Sequence, residues 1–175
     1  MKTLLFTAPL LIALSLSALA QTSNSSRGQG YLFFAPGVAI NNNRIRSGAF
    51  FHIGGGGEGF VYKGFGVGAE IGAVGPSEDF SSNAIGAGSV NFSYHFLPSG
   101  AERKIEPFVS AGYTLFFRAG LTHGVNVGVG INRWLNRYVA LRFEVRDNFS
   151  GRSGRLIGFR HSGHLLGFRM GLTFR

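Results

Sequence analysis

The sequence predicts an all-β protein, an eight-stranded antiparallel up-and-down transmembrane β-barrel preceded by a cleavable signal peptide. First, apolar and polar residues alternate with a period of two along eight segments, which is typical of a sheet with two unlike faces. Second, these segments have about ten residues, the length that a tilted strand needs to cross a bilayer. Third, only 14% of the residues are charged and 28 are glycine, whereas soluble domains carry about 25% charged residues.

The first 20 residues predict a secretory signal peptide. Lys2 is followed by an apolar run from Leu4 to Leu19, and the small residues Ala18 and Ala20 stand before the expected cleavage site. This order of a positive, an apolar and a small-residue region is the pattern of a cleaved signal. A retained membrane anchor is the alternative, but Pro9 and a run at the lower length limit for spanning favour cleavage.

The rest of the chain predicts a short leader followed by one barrel domain. Residues 21–30 are polar and rich in serine and glycine, which is typical of a flexible segment. Residues 31–175 are expected to form the barrel, and turn residues divide them into strands. The eight predicted strands are Tyr31–Val38, Ala49–Val61, Phe65–Val74, Ile85–Phe96, Ile105–Arg118, Val125–Leu135, Tyr138–Asn148 and Leu165–Phe174.

The apolar face of the predicted sheet is expected to point outward, to lipid. In the third strand, Phe65, Val67 and Ile71 share one face, and Gly66 and Glu70 lie on the other. The second face carries too few polar groups for a surface in water, but glycine and a few charges suit the narrow lumen of an eight-stranded barrel. We therefore expect an integral outer-membrane protein, and a periplasmic lipocalin-like binder is the alternative.

The connections predict the orientation, because such barrels have short periplasmic turns and longer outer loops. The turns at 62–64 and 136–137 are short, and the connection at 149–164 is the longest. The outer loop at 119–124 is shorter than this rule prefers. An aromatic girdle is expected at the periplasmic end, formed by Tyr62, Phe65, Phe96, Trp134, Tyr138 and Phe174.

Several segments resemble the small OmpA/OmpX-like outer-membrane barrel domains. Residues 64–72 (GFGVGAEIG) and 107–113 (PFVSAGY) are similar to their glycine-alternating strands, and 142–147 (RFEVRD) is similar to their charged penultimate strand. Residues 169–174 resemble the carboxy-terminal insertion signal, in which the barrel-insertion machinery would recognise Gly171 and Phe174. The family usually ends on the aromatic residue, whereas Arg175 follows it here. The resemblance implies a monomeric envelope protein with no catalytic role.

Six charged residues are predicted to face the lumen. A charge isolated in a low-dielectric lumen costs several kcal/mol, so these side chains are expected to pair with one another and plug the barrel. A narrow pore selective for small ions is the alternative. The residues of this predicted lumen charge network are Glu70, Glu106, Arg142, Glu144, Arg146 and Arg169.

The last predicted loop is basic and is a candidate contact for anionic lipid. Arg152, Arg155 and Arg160 lie there, and arginine binds phosphates in bidentate fashion. Outer-membrane lipids, including the phosphates of lipopolysaccharide, are therefore the expected partners. The alternative is that these charges only keep the loop solvated. A nucleic-acid partner is not expected for an exported barrel, despite a formal net charge of +9.

No catalytic, cofactor or metal site is predicted. Residues 54–59 (GGGGEG) match a dinucleotide-binding pattern, but a second strand follows where that pattern requires a helix. His161 and Ser162, with Asp147 nearby in sequence, suggest a lipid A deacylase-like hydrolase. Adjacent residues on a strand point to opposite faces, however, so the base would not reach the hydroxyl. This enzyme remains an alternative. The histidines show no metal-ligand spacing.

Overall fold

In a computed structural model of the chain, residues 28–41, 48–96, 104–118, 120–150 and 163–175 are described below. These residues form a closed barrel of eight antiparallel strands in sequence order, which confirms the predicted fold class. The first and last strands pair with each other, so the sheet has no free edge. The proposed cleavage site at Ala18 and Ala20 lies outside the described residues.

Eight strands and one short helix make up the described structure. No helix among these residues is long and apolar enough to span a membrane. The elements are β1 (Gly28–Asn41), β2 (Gly48–Tyr62), β3 (Phe65–Pro76), α1 (Phe80–Asn83), β4 (Ile85–His95), β5 (Ile105–Phe117), β6 (Leu121–Trp134), β7 (Val139–Ser150) and β8 (Gly163–Phe174).

Two strands begin three or more residues earlier than the sequence predicts. β1 begins at Gly28 rather than Tyr31, so the last three residues of the predicted leader belong to the barrel. The strand extends because Gln29 lies opposite Glu58 of β2 and donates a 2.7 Å hydrogen bond from Nε2 to its carboxylate. β6 begins at Leu121, so most of the predicted loop at 119–124 is strand that pairs with β5.

The two ends of the barrel differ in their connections. We call the end where β1 begins and β8 ends the terminal rim, and the opposite end the distal rim. At the terminal rim β2 turns into β3 through Lys63 and Gly64, both with positive φ, at 29° and 89°. A β-carbon at Gly64 would lie 2.4 Å from the carbonyl oxygen of His95, so this turn requires glycine.

Large apolar side chains cover the outside of the barrel, as predicted. Leu32, Phe92 and Val129 are each about 60% exposed (61%, 65% and 58%). The residues that alternate with these along the strands point inward, and among them Glu70 and Arg146 are buried. Water does not solvate a continuous apolar belt of this kind, whereas acyl chains do, and the barrel wall therefore spans a membrane.

Apolar side chains form a buried cluster in the distal half of the lumen, which the sequence analysis did not predict. It expected glycine and polar groups along the inward face. The structure places Val74 in a buried cluster, because bulky side chains fill this part of the lumen and exclude water. We call this cluster the apolar tier; it consists of Ala39, Phe50, Val74, Ala87, Phe116 and Leu165.

Trp134 does not belong to the predicted aromatic girdle. It lies on the inward face of β6, like Asn132, and its indole N–H donates a 3.2 Å hydrogen bond to Glu106 inside the lumen. The register of β6 therefore turns this ring away from lipid. The other five predicted girdle residues are exposed at the terminal rim: Tyr62, Phe65, Phe96, Tyr138 and Phe174.

The single tryptophan provides a test of which face meets lipid. In bilayers containing lipids brominated in mid-chain, we expect weak fluorescence quenching of Trp134, because its ring faces the lumen. The variant Trp134→Phe/Val90→Trp should be strongly quenched, since Val90 lies on the outside of β4 and is 53% exposed. Equal quenching of the two proteins would contradict the assigned direction of the two faces.

Candidate functional site

A continuous series of ion pairs occupies the lumen between the apolar tier and the terminal rim. Acidic and basic groups alternate along it, so each charge in this narrow space has a partner of opposite sign or an imidazole beside it. We call it the ion-pair chain. In order of contact, its members are Arg169, Glu70, Arg146, Glu144, Arg142, Glu58, His95, Glu106 and Arg175.

Glu70 is the centre of the distal part of this chain. Arg146 donates from Nη1 to one carboxylate oxygen at 2.8 Å, and Arg169 donates from Nη1 at 3.1 Å. The hydroxyl of Tyr31 adds a third donor at 2.8 Å. Three donors on a buried carboxylate replace the water that it loses, and this is the condition for burying such a charge.

Glu144 links the distal part of the chain to the terminal part. It accepts a 2.6 Å hydrogen bond from Nε of Arg146 and a 3.5 Å contact from Nη2 of Arg142. The hydroxyl of Ser110 also donates to it at 3.1 Å. Arg142 then donates from Nη1 to Glu58 at 3.3 Å. A single strand, β7, thus supplies three consecutive inward charges; its two arginines meet carboxylates from β2 and β3, and Glu144 joins them.

His95 joins two carboxylates near the terminal rim. Its Nδ1 lies 2.7 Å from Glu106, and its Nε2 lies 3.2 Å from Glu58. The imidazole is fully buried, and it stacks on the ring of Phe108 at 5.2 Å between centroids. The ring is therefore held on both edges and on one face.

Arg175 closes the terminal end of the ion-pair chain. Its Nη2 donates to Glu106 at 2.8 Å, and its guanidinium lies 3.8 Å from the centre of the Trp134 ring. Its backbone N–H donates to the carbonyl of Tyr138 at 2.9 Å. The residue that departs from the pattern of OmpA/OmpX-like chain ends therefore has a defined place in the lumen.

Aromatic rings line the buried guanidinium groups. Arg142 lies between the rings of Tyr31 and Phe108, at 4.3 and 4.0 Å from their centroids. Arg169 lies 4.1 Å from the ring centroid of Phe33. Such contacts attract the cation to the negative face of the ring and fill the lumen around it. The result is a packed lumen around charged groups.

The six residues of the predicted charge network all face the lumen and are buried. Five of them contact one another directly, whereas Glu106 connects to them only through His95 and Glu58. Sequence reasoning missed Glu58 because it lies within a run of glycines where the register was open. It assigned His95 no partner. Arg175 gave no signal of an inward role.

The other candidate residues have simpler environments. Phe174 is exposed at the terminal rim, and a β-carbon at Gly171 would lie 2.0 Å from the carbonyl oxygen of Leu32. Residues 54–57 lie within β2, and β3 follows, so the dinucleotide motif has no helix. Within the described ranges, no three His, Cys, Asp or Glu residues are grouped to hold a metal. Outside the described residues lie Arg152, Arg155, Arg160, His161 and Ser162.

Comparison with solved structures places the fold among small membrane barrels. Neisserial surface protein A matches with a TM-score of 0.67 and 13% identity, over 87% of this chain and 99% of that one. The N-terminal barrel domain of Pseudomonas aeruginosa OprF matches with a TM-score of 0.51 and 15% identity, over 84% and 99%. A de novo designed transmembrane β-barrel matches with a TM-score of 0.50 and 14% identity, over 87% and 98%.

No protein-family model and no curated protein matches the sequence. The similarity to solved structures therefore lies in the fold, at 13–15% identity. Two of the three matched structures are natural surface or outer-membrane proteins and one was designed. The chain has the fold of the small eight-stranded outer-membrane β-barrels.

The variant Glu70→Gln tests the energetic role of the ion-pair chain. It leaves Arg169 without a carboxylate partner, and we expect the free energy of unfolding to fall by about 3–5 kcal/mol. Urea titration in detergent micelles, followed by heat-modifiable gel mobility, would measure this change. The variant Glu70→Gln/Arg169→Met should recover part of the loss, because it also removes the unpaired cation.

The matched control for this experiment is Glu78→Gln. Glu78 is exposed, outside the barrel strands, so its replacement should change stability by less than about 0.5 kcal/mol. Equal effects of the substitutions at positions 70 and 78 would show that the buried pairs contribute nothing particular to stability.

Proposed function

We propose that this chain is an integral, non-catalytic protein of the bacterial outer membrane, with a closed lumen and a role in envelope structure or surface interaction. The apolar outer wall supports membrane residence, and the fold matches barrels that include the OprF domain. The predicted secretory signal supports export. The observation that carries the proposal is the filled lumen, because it leaves the outer surface and the loops as the parts available for interaction.

Two successive barriers support a closed lumen. On the distal side, Phe50 and Phe116 of the apolar tier are each 3% exposed. On the terminal side, the ion-pair chain holds Arg142, Glu144 and Arg146 in mutual contact. An ion entering from either rim meets bulky apolar side chains or charges that already have partners. Eight strands leave room for side chains and little water, which favours a plug over a pore.

We propose that the terminal rim faces the periplasm. The two-residue turn at Lys63 and Gly64 is short, as periplasmic turns are in such barrels. Lys63 and Arg137 lie 5.3 and 5.5 Å from the rings of Tyr62 and Tyr138, an arrangement suited to a membrane interface. In this orientation, Gly171 and Phe174 would present the insertion signal to the barrel-insertion machinery.

The distal rim then faces the exterior, where lipopolysaccharide forms the outer leaflet. We propose that Arg152, Arg155 and Arg160 contact its phosphates, since arginine binds phosphate in bidentate fashion. The barrel is proposed to act as a monomer, because its apolar wall is satisfied by lipid alone. Membrane lipids are thus the proposed partners, and no cofactor is required.

Membrane residence is tested by alkaline carbonate extraction of cell envelopes. We expect the protein to remain in the pellet of the outer-membrane fraction and to shift in gel mobility on heating, because the closed barrel resists detergent until it is heated. A soluble periplasmic protein would serve as the extraction control. Release of the chain by carbonate would favour the lipocalin-like alternative.

Planar-bilayer recording tests the closed lumen. We expect no steady conductance from the purified barrel, because the apolar tier and the ion-pair chain fill its interior. The variant Phe50→Ser/Phe116→Ser, if it keeps its heat-modifiable mobility, should show brief openings, since water can then enter the distal half. A large, steady conductance of the unmodified barrel would overturn the closed-lumen proposal in favour of an ion pore.

A further inference from the structure

A polar pair lies on the lipid-facing wall near the distal rim. Asp147 lies on the outer face of β7, as does Val145, which is 45% exposed. Asp147 pairs across the sheet with Leu166 of β8. Its Oδ2 accepts a 2.9 Å hydrogen bond from Nδ1 of His164 on β8. The imidazole also lies against the ring of Phe149, at 4.7 Å between centroids.

The pairing defines what the imidazole offers to a ligand. A carboxylate only accepts hydrogen bonds, so Nδ1 of His164 carries the hydrogen. Nε2 is then the ring atom that remains for an outside partner, and the His164 side chain is 36% exposed. Within the described residues, no hydroxyl or thiol contacts this imidazole.

The position of the pair makes it unusual. Asp147 lies three residues before the end of β7 at Ser150, which is about 10 Å along the strand. In the proposed orientation, this height corresponds to the border between acyl chains and head groups of the outer leaflet. Ionisable residues on a lipid-facing surface are costly, and they mark a functional site with a partner.

An apolar groove adjoins the pair on the same outer wall. It has a volume of about 340 Å³ and crosses β6, β7 and β8. This volume lies at the lower end of the range for small-molecule sites. Its floor includes the backbone of Gly128 between two outward-facing valines. The groove is lined by Val127, Gly128, Val129, Val145, Asp147 and Leu166.

We propose that the groove binds one acyl chain of lipid A, the acylated phosphoglycolipid that anchors lipopolysaccharide, with Nε2 of His164 accepting a hydrogen bond from a head-group hydroxyl or amide. This inference rests on the proposed function, because it requires the distal rim to lie in the outer leaflet. The site combines an apolar groove with a polar end at head-group height. A lipid with hydrogen-bond donors beside its acyl chains matches both parts.

Native mass spectrometry of the full-length protein in micelles tests the proposal. The probes are purified lipid A and a phosphatidylethanolamine of matched chain length. We expect one lipid A molecule to remain bound, and the phospholipid to bind at least tenfold more weakly. Equal retention of both lipids, or a second copy of the chain in place of lipid, would overturn the assignment.

Two pairs of variants locate the site. Val145→Trp should abolish retention of lipid A by filling the groove, whereas Val90→Trp on the outer wall of β4 should not change it. His164→Phe keeps a ring beside Phe149 but removes Nε2, so the affinity should fall about tenfold, as for one lost hydrogen bond. His123→Phe is the control, because His123 is also exposed and bonds to Tyr113 elsewhere on the wall.

The outcomes separate this inference from the proposed function. Each variant is first checked for heat-modifiable mobility, and Val127→Trp replaces Val145→Trp if that variant does not fold. Retention of lipid A that is unchanged in both groove and His164 variants overturns the site, even if the barrel resists carbonate extraction. Release of the protein by carbonate would overturn the proposed function itself.

Discussion

The narrowness of an eight-stranded barrel is the constraint on which the rest of this structure depends. A barrel of eight strands leaves little room for water, so we expect inward side chains to be packed or paired. A buried carboxylate such as Glu70 is tolerated because three donors surround it, two of them guanidinium groups. Removing one member of such a chain leaves a charge that neither water nor lipid can reach.

The protein meets this constraint in two ways along the barrel axis. In the distal half, Phe50 and Phe116 pack with four further apolar side chains, beside uncharged polar groups such as Thr114 and Asn148. Toward the terminal rim, carboxylates from β2, β3, β5 and β7 alternate with arginines from β7 and β8 and with Arg175. These contacts connect strands far apart in sequence, so the filling of the lumen also holds the barrel closed.

The sequence predicted the fold and the direction of its faces because period-two alternation is a local property. It also predicted that Arg142, Glu144 and Arg146 point inward, since the parity of one strand decides that. It did not predict the links through Glu58 and His95, because partners across the lumen depend on the register of distant strands. It missed the apolar tier for a related reason, since an inward Phe50 resembles an outward one until the register is known.

Asp147 shows the same electrostatic rule acting on the outside of the wall. It directly follows Arg146 in β7, so the alternation that buries one charge turns the next toward lipid. Inside the lumen such a group meets an arginine, whereas here its partner is the imidazole of His164 on the neighbouring strand. An uncharged residue at this position would satisfy the barrel wall equally well. The proposed lipid site accounts for the pair, because it gives the imidazole a partner outside the barrel.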